Sequence, residues 1–221
     1  VFLDSIVDLL PELNQAFLET MLMVGIGLLV ALILGLPMGI LLYVTDRGLF
    51  LENRLVKSVV GMIVNLIRSI PFIILLVFLL PFTKWLVDTT TGPLAASVSL
   101  SVAAIPFYAR IVESSAREID KGVIEAAVAA GASPWLIIKD IIFPEAKPGL
   151  ISGLTITAIS LIGYSAMAGT VGGGGIGDLA IRYGYYRYDD TVMFTTVIVL
   201  IVLVQLIQYL GDFIAKAVNK R

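Results

Sequence analysis

Neither cysteine nor histidine occurs anywhere in the 221 residues. That double absence excludes disulfides, thiol catalysis, thiolate or imidazole metal sites, and every Ser-His-Asp or Cys-His nucleophile. It says little about compartment, because reducing and oxidising sides both tolerate a chain without cysteine. Charge is also scarce: 14% of residues are charged and the formal net charge is −2, which speaks against a nucleic-acid partner. No G-x-x-x-x-G-K-[ST] phosphate loop is present, so the chain does not itself hydrolyse ATP in the usual way. The first residues lack a basic stretch and carry Asp4, Asp8 and Glu12 instead, so no secretory signal is read there. What the chain does have is apolar surface: 58% of its residues are hydrophobic, and the mean hydropathy is +0.99. No soluble domain of this size needs so much, which makes this an integral membrane protein.

The uncharged runs divide the chain into spans. An all-α membrane domain covering 1–221 is expected, with crossings at about 18–44, 66–84, 90–110, 148–168 and 191–212. Residues 1–19 read as a polar-amphipathic lead-in. The first span carries Gly35 and Gly39, a spacing that lets helices pack closely in lipid. Arg68 interrupts the second; at mid-bilayer it would cost at least about 2.5–3.5 kcal/mol, so it is placed near the interface. Residues 50–65 then form an amphipathic stretch along the inner side, and Pro71 starts or kinks the crossing. With five crossings and the N-terminus outside, the inner segments hold Arg47, Arg54, Lys57, Arg68, Arg110, Arg117, Lys121, Lys139, Lys147, Lys216, Lys220 and Arg221. The outer ones hold Lys84, Arg182 and Arg187, so the C-terminus is expected in the cytoplasm.

Between the third and fourth spans lies a polar block, 118–147, that reads as a helical hairpin. Gly131 can end the first helix in a left-handed turn, Ser133 can cap the second, and Pro134 fits its first position. Charges at Glu125, Lys139, Asp140 and Glu145 keep the hairpin out of the bilayer. Continuing from the third span, Arg110, Glu113, Arg117, Glu118 and Glu125 read as a solvated face with i,i+3 and i,i+4 pairs. The run Gly172–Gly177 formally contains G-x-G-x-x-G, but it follows a membrane helix and no acid stands near 197, so it is a glycine run and not a dinucleotide site. Tyr183, Tyr185, Tyr186 and Tyr188, beside Arg182 and Arg187, read either as an interfacial aromatic belt or as a docking face for an external protein. Tyr164, Ser165 and Met167 read either as tight small-residue packing or as an adaptable apolar gate.

Glu125-Ala126-Ala127, three residues, Gly131, nine residues, Ile141, one residue, Phe143 and Pro144 resembles the cytoplasmic coupling loop of ABC importer permeases. Phe143 stands where that family usually has Leu, which is expected to keep an apolar anchor. The segments Asn65–Leu76, Gly163–Met167 and Arg182–Tyr185 look like those of methionine importer permeases. The resemblance implies the five-helix type I importer fold, with Glu125, Ala126, Ala127, Gly131, Ser133, Pro134, Ile141 and Pro144 docking on an ATPase. It also implies a homodimer with two ATPase subunits that carry the ATP and Mg, this chain binding no cofactor. A periplasmic or lipid-anchored binding protein would dock at Tyr185, Tyr186 and Arg187, and Tyr164, Ser165 and Met167 would line the pathway. The expected role is methionine import across a bacterial inner membrane. The alternatives are import of another small amino acid, an ion-coupled transporter or channel, or a membrane scaffold. Against ion coupling, no span centre carries an Asp, Glu or Lys.

Overall fold

The computed structural model describes residues 2–218, with side chains from Leu9 onward. Lys220 and Arg221, and the side chains of Asp4 and Asp8, lie outside the described residues. The described chain is helical: α1 (Phe2–Val30), α2 (Leu36–Val44), α3 (Arg54–Ser69), α4 (Phe72–Phe78), α5 (Leu80–Val87), α6 (Pro93–Arg117), α7 (Lys121–Ala129), α8 (Pro134–Ile137), α9 (Phe143–Gly169), α10 (Gly175–Leu179) and α11 (Asp190–Val218).

Several of these join into longer rods. A π-helical turn at Ala31–Gly35 connects α1 to α2 without a break, and another at Ile138–Ile142 connects α8 to α9. Each turn ends two residues before a proline, Pro37 and Pro144. In a regular helix a proline ring meets the carbonyl four residues back, here Ile33 or Asp140. Both carbonyls lie inside the wider turns, which relieve that clash and keep the rod unbroken. The lead-in expected over 1–19 is therefore no separate segment but the start of the first rod.

Among the described residues, four helical stretches are long and apolar enough to cross a membrane: Leu9–Val44, Pro93–Arg117, Pro134–Gly169 and Asp190–Val218. The second expected crossing differs from a simple span. α3 and α4 together pass the same test, but the chain turns by 102° between them. Proline supplies the reason: Ile70, ahead of Pro71, is extended (φ −85°, ψ 125°), as a residue preceding proline must be. Arg68 is exposed in the last turn of α3, beside that bend.

The hub of the fold is α6, which touches α1, α2, α3, α4, α5 and α9. Small residues dominate its buried positions, among them Ala95, Ala96, Ser99, Ala104, Ala109 and Ala116. Its serines spend their hydroxyls on their own backbone, Ser97 donating to Leu94 O and Ser101 to Ser97 O, both at 2.7 Å. Neighbouring helices approach it through glycine. A Cβ on Gly39 would stand 2.5 Å from both Ala109 O and Val112 Cβ, and one on Gly35 would stand 2.8 Å from Ile105 O. On the α9 side, a Cβ on Gly153 would stand 2.4 Å from Ile111 Cγ2. Tyr108, fully buried, closes that seam by donating its hydroxyl to Leu150 O at 3.2 Å.

Because the obstacle at Gly39 is backbone, Gly39→Val should destabilise the protein by about 1–3 kcal/mol, the usual cost of overpacking. Gly25, with open space around its Cβ direction, is the control. Thermal unfolding in detergent should show a lowered midpoint for Gly39→Val and none for Gly25→Ala.

Candidate coupling hairpin and pathway face

The hairpin after the C-terminal end of α6 is built from local signals. Asp120 caps α7 by accepting from Gly122 N at 2.8 Å. The helix ends in a Schellman turn: Ala132 N donates to Ala127 O and Gly131 N to Val128 O, both at 3.0 Å. Gly131 sits at φ +79°, the left-handed conformation such a turn requires. The second alanine of the Glu-Ala-Ala motif is thus the residue whose carbonyl closes the turn, which fixes the four-residue step to the glycine. Ser133 then accepts from Leu136 N at 3.4 Å, and Pro134 opens α8.

Three isoleucines, Ile124, Ile137 and Ile142, hold the hairpin to the body and are fully buried. Glu125, Ala126, Gly131, Ser133, Pro134 and Pro144 are exposed, and Ala127 and Ile141 are half-buried. The anchor role expected at Phe143 falls instead to its neighbour: Phe143 is 41% exposed while Ile142 is at 0%. The exposed surface is unusually apolar for a loop, with Val123, Val128 and Leu136 on it and Trp135 at 71%. A groove of about 400 Å³ lies between α7 and the loop before α3, lined by Leu49, Phe50, Ile124, Glu125 and Val128 among others. Trp135 was not singled out in the sequence; a tryptophan in the first turn of an exposed helix is the signal that could have found it.

The second arm of the hairpin is no free-standing helix. Pro134 to Gly169 form one continuous stretch of 36 residues, which at about 1.5 Å per residue is a rod of about 54 Å. Near its far end Tyr164 stacks on Phe72 with ring centroids 4.5 Å apart and planes at 10°. Met167, one turn on, is 47% exposed on the open face of α9. Ser165 is buried on the other side and donates to Ile162 O at 2.8 Å, so the structure brings Tyr164 and Met167 together and sets Ser165 apart from them.

Beyond α9 the glycine run packs α10 back on the bundle, with Gly177 so near Ala166 that a Cβ would stand 2.3 Å from its Cα. Glu19 accepts from Gly175 N at 2.7 Å and Thr20 from Ile176 N at 3.0 Å, tying the first rod to this turn. A π-helical turn, Ala180–Tyr185, follows. Tyr185, Tyr186, Arg187 and Tyr188 are all exposed. The Tyr185 and Tyr186 rings lie 5.3 Å apart, and the Arg187 guanidinium sits 4.4 Å over the Tyr183 ring. Arg182 pairs with Asp178 at 2.7 Å.

Of the charges expected to form a solvated face, Arg117, Glu118 and Glu125 are exposed, whereas Arg110 is half-buried and Glu113 is buried. The pairs Arg110–Glu113 and Glu113–Arg117 do form, at 2.6 and 2.8 Å, but Glu113 is only 4% exposed and also takes Lys57 from α3 at 2.5 Å. Arg117 continues to Asp46 in the loop after α2. Burial works against the Asp46 charge, but hydrogen bonds from the Arg47 amide and Arg117, with the Lys57 charge, outweigh it and hold the carboxyl below its usual range. Its contribution to stability is therefore present above the ordinary Asp range and lost as pH falls through the lowered value.

Comparison with known proteins places this geometry in a family. Residues 27–221 match the model of the binding-protein-dependent transport system inner membrane component. The chain is 48% identical to the probable D-methionine transport system permease protein MetI of Vibrio cholerae, over 92% of this chain and 90% of that one. It is also 48% identical to the methionine import system permease protein MetP of Bacillus subtilis, over 82% of each. Among solved structures, an inward-facing methionine ABC transporter, MetNI, matches with a TM-score of 0.90 and 48% identity, over 91% of this chain and 94% of that one. An amino acid ABC transporter at 16% identity and a TM-score of 0.81 shares the fold. The fold is the all-α type I ABC importer permease fold that the motifs imply, and a permease is a transport subunit, not an enzyme. The chain belongs to the family of binding-protein-dependent transport system inner membrane components.

Proposed function

We propose that this chain is the permease subunit of an ATP-driven importer of methionine. Two copies form the pathway, two separate ATPase subunits bind the hairpins, and an external binding protein delivers the substrate. The N-terminus lies outside and the C-terminus in the cytoplasm. The carrying observation is the unbroken rod from Pro134 to Gly169, which has the exposed hairpin at one end and Met167 at the other. A force applied at Trp135 and Glu125 acts through a stiff element directly on the face bearing Tyr164 and Met167. Support for methionine comes from the relatives, methionine permeases by name and 48% identical over most of the chain.

In this reading ATP draws the two ATPase subunits together and the hairpins follow. The rods rotate, the outer ends part, and the binding protein releases its cargo. Hydrolysis resets the dimer. The apolar patch around Trp135 suits a protein interface, and Glu125 beside the groove gives it orientation. Met167 closes the outer end as an unbranched, adaptable plug. Tyr185, Tyr186 and Arg187 present an exposed aromatic and cationic face to the binding protein.

The test is uptake of radiolabelled methionine by vesicles holding permease, ATPase and binding protein. Uptake should require ATP; equal uptake without it would overturn the assignment. Trp135→Ala should weaken ATPase binding by about 30-fold, the cost of losing an aromatic anchor of about 2 kcal/mol, as read by calorimetry or co-purification. Gly131→Pro, which cannot adopt the left-handed turn, and Glu125→Lys should both uncouple hydrolysis from uptake, whereas normal coupled transport would refute the docking role. Met167→Ala should raise basal ATPase activity or substrate leak, and unchanged values would reject the plug.

A further inference from the structure

Glu113 is the one buried acid in α6, and nothing in the docking, gating or delivery surfaces uses it. Five charged groups meet there. Glu113 holds Arg110, Arg117 and Lys57; Arg117 and Lys57 both reach Asp46, the latter at 3.5 Å. Lys57 also donates to Leu42 O in the last turn of α2 at 2.7 Å, and Arg110 donates to Asn65 Oδ1 on α3 at 2.8 Å. The cluster thus binds the end of α2, the loop after it, α3 and the end of α6 into one knot.

Such a knot is a poor way to gain stability. Burying ions costs about as much as their attraction returns, and apolar replacements of similar volume are often neutral or better. Its position suggests another use. Arg117 is the last residue of α6, and three residues separate it from α7 of the hairpin. At the other side, α3 leads through the Ile70–Pro71 bend to Phe72, whose ring lies on Tyr164. We infer that the Asp46–Lys57–Glu113–Arg117 junction is a joint that makes α3 move with the coupling hairpin, with Glu113 as its positioning residue. The inference rests on the importer reading above. It gives the hairpin a second route to the Tyr164 face, beside the rod of α9, so that both elements flanking that tyrosine shift together.

The chain has no cysteine, which makes the test direct. Spin labels at Ser58→Cys on α3 and Lys121→Cys at the hairpin root report whether the two elements move as one body in the assembled, reconstituted complex. The distance between them should be the same with and without ATP, and Glu113→Gln should broaden it. The ratio of uptake to ATP hydrolysis should fall about tenfold in Glu113→Gln, within the usual range of coupling between sites, while assembly with the ATPase is kept. Asp46→Asn, which keeps the shape but removes the charge facing Arg117 and Lys57, should lower the same ratio, whereas Asp46→Glu should keep most of it. Should Glu113→Gln not assemble, the Asp46 pair carries the test: a ratio lowered in Asp46→Asn and kept in Asp46→Glu supports the joint, and an unchanged ratio in an assembled Asp46→Asn complex overturns it. A distance that changes with ATP in the otherwise unaltered protein, or an unchanged ratio in an assembled Glu113→Gln complex, also overturns it. Absence of ATP-dependent uptake by the unaltered protein would instead overturn the functional reading and, with it, this inference.

Discussion

Everything in this fold depends on how closely other helices approach α6. In lipid there is little hydrophobic gain from pressing one apolar helix on another, so contact must come from shape. Gly35 and Gly39 let the first rod lie on the α6 backbone, and Gly153 lets α9 lie on its opposite flank. Held on both sides, α6 provides a fixed axis between the first rod and the rod that leads to the hairpin. The outward faces of the other helices can then be left to the bilayer, as the exposed Phe194, Ile198, Ile201 and Leu206 along α11 illustrate.

The scarce polar groups are placed with the same economy. At the turn before α10, Glu19 and Thr20 satisfy amides that the glycine run would otherwise leave open. At the opposite end, three cations and two carboxylates neutralise one another where α2, α3 and α6 converge. Between these poles the buried hydroxyls of Ser97, Ser101, Thr157 and Ser165 bond to their own helices.

The parts of the site legible in the sequence are those made by short-range chemistry. Gly131, Ser133 and Pro134 each impose a backbone conformation on a turn of a few residues, and that turn has the expected form. The close approach of Gly35 and Gly39 was also readable, because small residues at that spacing serve few other ends. What escaped depends on tertiary placement. Spacing along α6 predicts the Arg110–Glu113–Arg117 pairs but not the arrival of Lys57 from α3, which turns a wet face into a buried knot. Ser165 and Met167 are neighbours in the sequence, yet the helix sends them to opposite sides, and only packing decides which side is open. The polar block 118–147 and the span from 148 read as separate, whereas the wide turn at Ile138–Ile142 lets one helix run through both.

That wide turn has a consequence for how the two ends of the long rod face each other. A single π-helical turn inserts one residue beyond the regular count, which swings everything after it by about 100° around the axis. The azimuth of the Met167 face relative to Trp135 is therefore set at Ile138–Ile142 and not at either end. Shortening that turn by one residue would leave Trp135 and Met167 chemically intact but aim them in different directions, like a key cut correctly on the wrong edge.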